Sequence, residues 1–322
     1  MDTPRTIMVS IVVPCYNEAQ VLPDFLEALH THTQSIENAH FEFLFIDDGS
    51  NDETDTVLHE AASKDSRIKI LSLARNYGHQ RALTAGLDHC QGDFAIFMDA
   101  DLQDPPELIP QIVEKLLEGF DIVHTVRSDR GQDSLPKRVS SSIFYTIMRH
   151  WVLPELPLNA GDYKGLNRKA IQGVRNYNER VRFLRGTIAT LGFNQCEIPF
   201  HRPARLAGKS KYPLFKVLRL ARDAVVSNTV IPLRVAIFLG LVCIGLGLIT
   251  AIALGVAICS TRIEPGLMHT ILVAVLLIGG ANLLFMGILG EYIKVLMLEV
   301  KQRPLYLVQS RFNMDDPDQS AS

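Results

Sequence analysis

The chain has 322 residues, 47% of them hydrophobic, with a formal net charge of -3 and a mean hydropathy of +0.13. That length suffices for one large or two ordinary domains. A near-neutral charge argues against nucleic acid as a partner, which calls for a clear basic excess. The five cysteines (Cys15, Cys90, Cys196, Cys243, Cys259) form no CxxC pair and no zinc-like spacing. They read as reduced, mostly buried residues of a cytosol-facing protein. The N-terminal MDTPRTIMVS lacks the long apolar run of a cleavable signal peptide.

Short runs rich in Ile, Val and Phe predict strands at 7–14, 41–46, 68–73, 94–98 and 122–126. Helical patterns lie between them, at roughly 18–36, 52–64, 79–90 and 105–118. Regular alternation of this kind predicts an α/β fold with a mostly parallel sheet covered on both faces. Ligands of such sheets bind beyond the carboxyl ends of the strands. Polar clusters sit at four of those ends: PCYNE (14–18), DDGSND (47–52), ARNYGHQ (74–80) and DADLQD (99–104).

No GxGxxG follows the first run, so a dinucleotide site is not expected. Asp47 and Asp48 can accept from ribose hydroxyls or a base N–H, and Asp-Gly-Ser is equally turn chemistry. In an extended segment Asp99, Asp101 and Gln103, spaced i, i+2, i+4, would point to one side. Hard oxygen ligands suit Mg2+ or Mn2+, which in turn holds a diphosphate and neutralises the crowded acids.

Further along, 213–226 reads as an interfacial amphipathic helix, and 136–153 as either a second such helix or a helix of the soluble core. Residues 235–261 carry no charge, and a second uncharged stretch runs over 265–290. Each exceeds the ~20 apolar residues needed to span a bilayer. Basic residues cluster outside this hairpin, from Lys209 to Arg234 and from Lys294 to Arg303. Both ends are therefore expected on the cytoplasmic side. The chain divides into a catalytic region 1–212, a juxtamembrane helix 213–232, two spans within 233–292 (about 235–259 and 267–290) and a tail 293–322. Arg202, Arg205 and Lys211 flank a Gly-Lys-Ser turn and suit phosphate oxygens, although juxtamembrane positives also attract anionic lipid. ERVRFLRGTIATLGF (179–193) adds Arg180, Arg182 and Arg185 beside a hydrophobic helix.

VVPCYNE, FIDDGSNDET, ARNYGHQRALTAGLDHCQGD and MDADLQDPPE resemble, in order and spacing, the motifs of family-2 glycosyltransferases with the GT-A, Rossmann-like fold. Within that family the likeness is to polyisoprenyl-phosphate glycosyltransferases: bactoprenol glucosyltransferases, lipid A aminoarabinose transferases and dolichol-phosphate mannosyltransferases. It covers nearly the whole chain, because a C-terminal two-helix hairpin is typical of bacterial members. The resemblance implies that Pro14, Tyr16, Glu18 and Asp48 hold the base and ribose, with Asp47, Arg75 and Asn76 in the same nucleotide site. It implies that Asp99 faces the ribose or donor sugar and touches the metal held by Asp101 and Gln103. NAGDYKGLNR takes the place of the family's GDFRLLDR, which puts Asp162 at the catalytic position as base or orienting group. The same resemblance implies a nucleotide-sugar donor (UDP-glucose first, GDP-mannose or UDP-aminoarabinose otherwise) and a polyisoprenyl phosphate acceptor in the bacterial inner membrane. A homotetramer is likewise implied. A processive synthase would need a QxxRW motif, and the only tryptophan lies in MRHW. A nucleotidyltransferase would differ by releasing diphosphate.

Overall fold

The computed structural model describes residues 6–128, 160–177, 179–180, 184–201 and 267–314, with single positions between 235 and 252. Eight strands form one sheet in the order β7-β5-β6-β4-β1-β2-β3-β8. The strands are β1 (Ile7–Cys15), β2 (Ala39–Asp47), β3 (Ile68–Leu73), β4 (Phe94–Phe97), β5 (Ile122–Arg127), β6 (Ala160–Asn167), β7 (Gln195–Phe200) and β8 (Val308–Phe312). Strands β1 to β5 and β7 run parallel, and β6 and β8 run against them. The five strands expected from the sequence are all present, within two residues at each end. This is the mostly parallel α/β sheet that the alternation of the sequence predicts.

The helices are α1 (Leu22–Thr33), α2 (Thr54–Lys64), α3 (His79–His89), α4 (Ile109–Leu117), α5 (Arg168–Arg175), α6 (Leu184–Ala189) and α7 (Leu267–Lys301). Each early helix buries one stripe. Helix α1 buries Leu22, Phe25 and Leu29, and α4 buries Ile109, Ile112, Val113 and Leu116, the i, i+3, i+4, i+7 spacing of an apolar face. The stripes fill two cores. One gathers Val9, Ile11 and Val13 of β1 with α1, α2 and α4. The other gathers Val12 of β1 with α3, α5 and α6. Alternate residues of β1 thus feed opposite cores, which is why the strand reads as a continuous apolar run.

The chain divides into two compact units: the part up to Pro213 together with the segment from Arg303, and Leu214–Gln302. Strand β8, absent from the sequence expectation, pairs antiparallel with β3 from Ile70↔Phe312 to Leu73↔Val308. In the second unit, α7 is 35 residues long and contains the second expected span. Among the described residues no helix is long and apolar enough to cross a membrane, so the expected two-helix hairpin is without support here. The first span, 235–259, lies for the most part outside the described residues. The expected helices at 136–153 and 213–226, with Arg202, Arg205 and Lys211, also lie outside them.

Candidate active site

Parallel strands leave their carboxyl ends on one edge, and backbone bonds lace the loops there together. Asn17, in the left-handed region at φ 55°, donates its N–H to Ser50 Oγ at 3.0 Å, and its side-chain oxygen accepts from the Asn51 N–H at 2.8 Å. The Glu18 N–H donates to Thr54 Oγ1 at 2.9 Å. Pro14 is buried at the tip of β1, while Tyr16 and Glu18 are half-buried just beyond it.

Asp47 and Asp48 are almost fully buried, so burial raises both carboxyls above their usual range. Asp47 accepts from the Ser50 N–H and hydroxyl. Asp48 accepts from the Tyr77 and Gly78 N–H groups at 2.7 and 2.8 Å. Their carboxylates therefore pin the second and third loops, the turn chemistry that the sequence left open. Between the loops sits Gly49, at φ +68°, where an added Cβ would lie 2.5 Å from the Arg75 carbonyl carbon. Arg75 and Asn76 are exposed beside it, with the Arg75 guanidinium 4.8 Å from the centre of the Tyr77 ring.

The acidic segment after β4 is a tight turn, not the extended segment expected. Leu102 adopts φ 55° between Asp101 and Gln103, and Asp101 Oδ1 accepts the Gln103 N–H at 3.2 Å. Buried Asp104 accepts the Asp99 N–H at 3.1 Å. A non-glycine residue held at positive φ marks strain of the kind that gathers at functional sites. The turn, rather than alternation along a strand, keeps Asp99, Asp101 and Gln103 half-buried at one strand end. Among the described residues no three His, Cys, Asp or Glu side chains form a ready-made metal cage. Two carboxylates and an amide oxygen still fit Mg2+ or Mn2+, because such ions are held by one or two carboxylates plus substrate phosphates.

The sheet brings Asp162 to this turn. Phe97, at the end of β4, pairs with Lys164 of β6, which leaves Asp99, just past β4, and Asp162, two residues earlier on β6, at the same end of the sheet. Arg185 grips Asp162 with a two-point fork, Nε and Nη2 each at 2.8 Å. His79 Nε2 lies 3.2 Å from Asp162 Oδ2 and 3.6 Å from Asp99 Oδ1. Burial alone would raise the Asp162 carboxyl, but the Arg185 charge and the bonds from Arg185 and His79 outweigh it and hold it well below the usual range. Burial likewise opposes charge on His79, yet Asp99 and Asp162 push its imidazole up to about 9. Buried Lys164 is pushed down to about 8 by loss of solvent. Leu83, Phe97, Leu184 and Ile188 wall the pair from behind, and a low local dielectric strengthens the contacts.

Sequence reading named Asp162 and Asp99 but not the ring between them. His79 lies in the ARNYGHQ cluster, where its presence was the only signal. Arg185 stood among the basic residues of 179–193 without a partner, since its contact with Asp162 spans 23 positions.

A mostly parallel sheet with this acidic edge suits an enzyme of nucleotide-diphosphate substrates, and the likeness to known proteins gives its class. Residues 10–175 match the model of glycosyl transferase family 2, and the chain belongs to that family. It is 37% identical, over 97% of its length and 96% of the relative's, to the uncharacterized glycosyltransferase YkcC of Bacillus subtilis (strain 168). It is 35% identical to the bactoprenol glucosyl transferase of Shigella phage SfX, over 94% of this chain and 99% of that one. Identity to the prophage bactoprenol glucosyl transferase homolog of Escherichia coli (strain K12) is 34%, over 94% and 98%.

Proposed function

We propose that the protein transfers a hexose, glucose from UDP-glucose, to a polyisoprenyl phosphate at the cytoplasmic face of a membrane, with inversion at the anomeric carbon. The observation that carries this reading is the convergence of Asp99, from the turn after β4, and the fork-held Asp162 of β6 on one nitrogen of His79. The bactoprenol glucosyl transferases similar along nearly the whole chain support the acceptor class.

In this mechanism Asp101 and Gln103, with Asp99, would hold Mg2+ or Mn2+. When bound, such an ion would supply positive charge that stabilises the departing diphosphate. Tyr16, Glu18, Arg75 and Asn76 line the nucleotide side, and Asp48 shapes it by pinning the 77–78 backbone. The acceptor phosphate, with a second pKa near ~6, is already ionised at neutral pH. Asp162, held as a carboxylate by Arg185, would orient the nucleophile through that guanidinium rather than take a proton. Arg202, Arg205 and Lys211 complete the acceptor side in this proposal.

Helix α7 supports membrane attachment. At 1.5 Å per residue its 35 residues extend about 50 Å, and Ile271, Val275, Ile278, Leu284, Met286 and Leu289 are exposed along it. Exposed apolar surface of this extent marks contact with lipid or protein.

The test incubates the full chain in membranes with undecaprenyl phosphate and radiolabelled UDP-glucose, GDP-mannose or UDP-aminoarabinose. The expected result is glucose label in the lipid phase with UDP released. Release of diphosphate would identify a nucleotidyltransferase, and label confined to water-soluble polymer would identify a synthase.

A further inference from the structure

We propose that His79 is a positioning residue that fixes the gap between donor-side Asp99 and acceptor-side Asp162 by sharing one ring nitrogen between their carboxylates. The proposal rests on the glycosyl-transfer reading of this site. Two carboxylates held close together repel one another, and Asp99 and Asp162 both reach the same ring nitrogen. Nε2 of His79 stands at 3.6 Å from one and 3.2 Å from the other, so the ring offsets that repulsion.

The ring is itself held in place. His79 opens α3 directly after Gly78, whose φ of +94° turns the chain into the helix. The N–H groups of Tyr77 and Gly78 are fixed by buried Asp48. Behind Asp162, the Arg185 fork sets the far side of the bridge. Asp48, His79, Asp162 and Arg185 thus form a chain of contacts from the nucleotide loops to the acceptor side. Transfer needs reacting atoms about 3–3.5 Å apart, and a misplacement of about 1 Å can cost about 10²-fold in rate.

The experiment compares full-length His79→Ala, His79→Asn and His79→Gln in membranes with UDP-glucose and undecaprenyl phosphate. A glutamine amide nitrogen can reach the place of Nε2, whereas an asparagine nitrogen falls at Nδ1, which the bridge does not use. In His79→Ala, kcat is expected to fall about 30- to 100-fold, with the donor KM changed less than about threefold. His79→Gln should recover at least about tenfold over Ala, and His79→Asn should not. A kcat within about twofold of wild type, recovery by Asn equal to that by Gln, or a raised donor KM with kcat kept would each overturn the proposal.

A wild-type chain that transfers no sugar would sink the glycosyl-transfer reading instead. The bridge is then judged by melting temperatures of His79→Ala, Asp162→Ala and the double variant. Loss of His79 should cost nothing more once Asp162 is gone, and additive losses would overturn the bridge.

Discussion

Asp101→Asn keeps the side chain's size and its acceptance of the Gln103 N–H while removing one charge from the acidic turn. Losing one major electrostatic stabiliser costs about 10²–10³ in turnover. Transfer should therefore drop by at least about 10²-fold at an unchanged melting temperature; full activity of this variant, or of the wild type in excess EDTA, would remove the metal from the mechanism. Lys164 offers a test of the interior. Its folded pKa of about 8 lies below the ordinary value of 10.5, so folding disfavours the charged form. The cost is fully present below about pH 8 and relieved as pH rises toward 10.5. Lys164→Met should be more stable than wild type at pH 7, by an advantage that shrinks by about 3 kcal/mol by pH 11. Denaturant midpoints across that range check it, and a pH-independent difference would refute it. Asp162 was legible because its GDY context is local. Lys164 was only a departure from the family pattern, since nothing nearby in sequence shows that it is buried.

Individual elements show the same division between local and distant causes. Strands β1 to β5 are rich in Ile, Val, Leu and Phe, so composition alone exposes them. Strand β6, AGDYKGLN, carries two glycines, an aspartate and a lysine and owes its strand state to β4 and β5 on either side. Strand β7 contains Pro199 and pairs with β5 at the margin of the sheet, where a missing N–H is tolerated. Strand β8 hid within a tail, because only its two ends, Val308 and Phe312, are partly buried. Its anchoring is nonetheless specific: Asn313 Nδ2 donates to the carbonyls of Ala62 and Ile68, each at 3.0 Å. Asn313→Ala should cost about 1–2 kcal/mol in chemical denaturation, and no loss would show the anchor to be idle. Gly49→Ala acts on the site through a loop. A side chain at φ +68° costs about 1–3 kcal/mol, and its Cβ must displace the Arg75 backbone. The expected signature is a donor KM raised more than about tenfold, together with a lower melting temperature.

For the whole molecule, attachment should matter to the acceptor and not to the donor. A chain cut near Ser227 would discard β8 along with α7, so the informative variant replaces 214–302 by a short polar linker and keeps the segment from Arg303. It should bind UDP as the full chain does yet transfer poorly to undecaprenyl phosphate in vesicles, and a short water-soluble prenyl phosphate should recover part of the rate. Confining two partners to one plane can lower a barrier by several kcal/mol. Equal rates on vesicles for both forms would make the attachment incidental.

Strand order also carries a parity rule. The chain leaves the first unit at Pro213 and re-enters it at Arg303, and β8 then hydrogen-bonds to β3 of the sheet that β1 began. One hydrogen-bonded sheet cannot straddle a bilayer, since its edges would be stranded in hydrocarbon. Whatever 214–302 does at a membrane, it must cross an even number of times, a conclusion that needs neither hydropathy nor charge. Proteolytic tags placed before Met1 and after Ser322 must therefore be cut together or protected together in sealed vesicles. Cleavage of one alone would mean that β8 and β3 cannot be partners in the living fold.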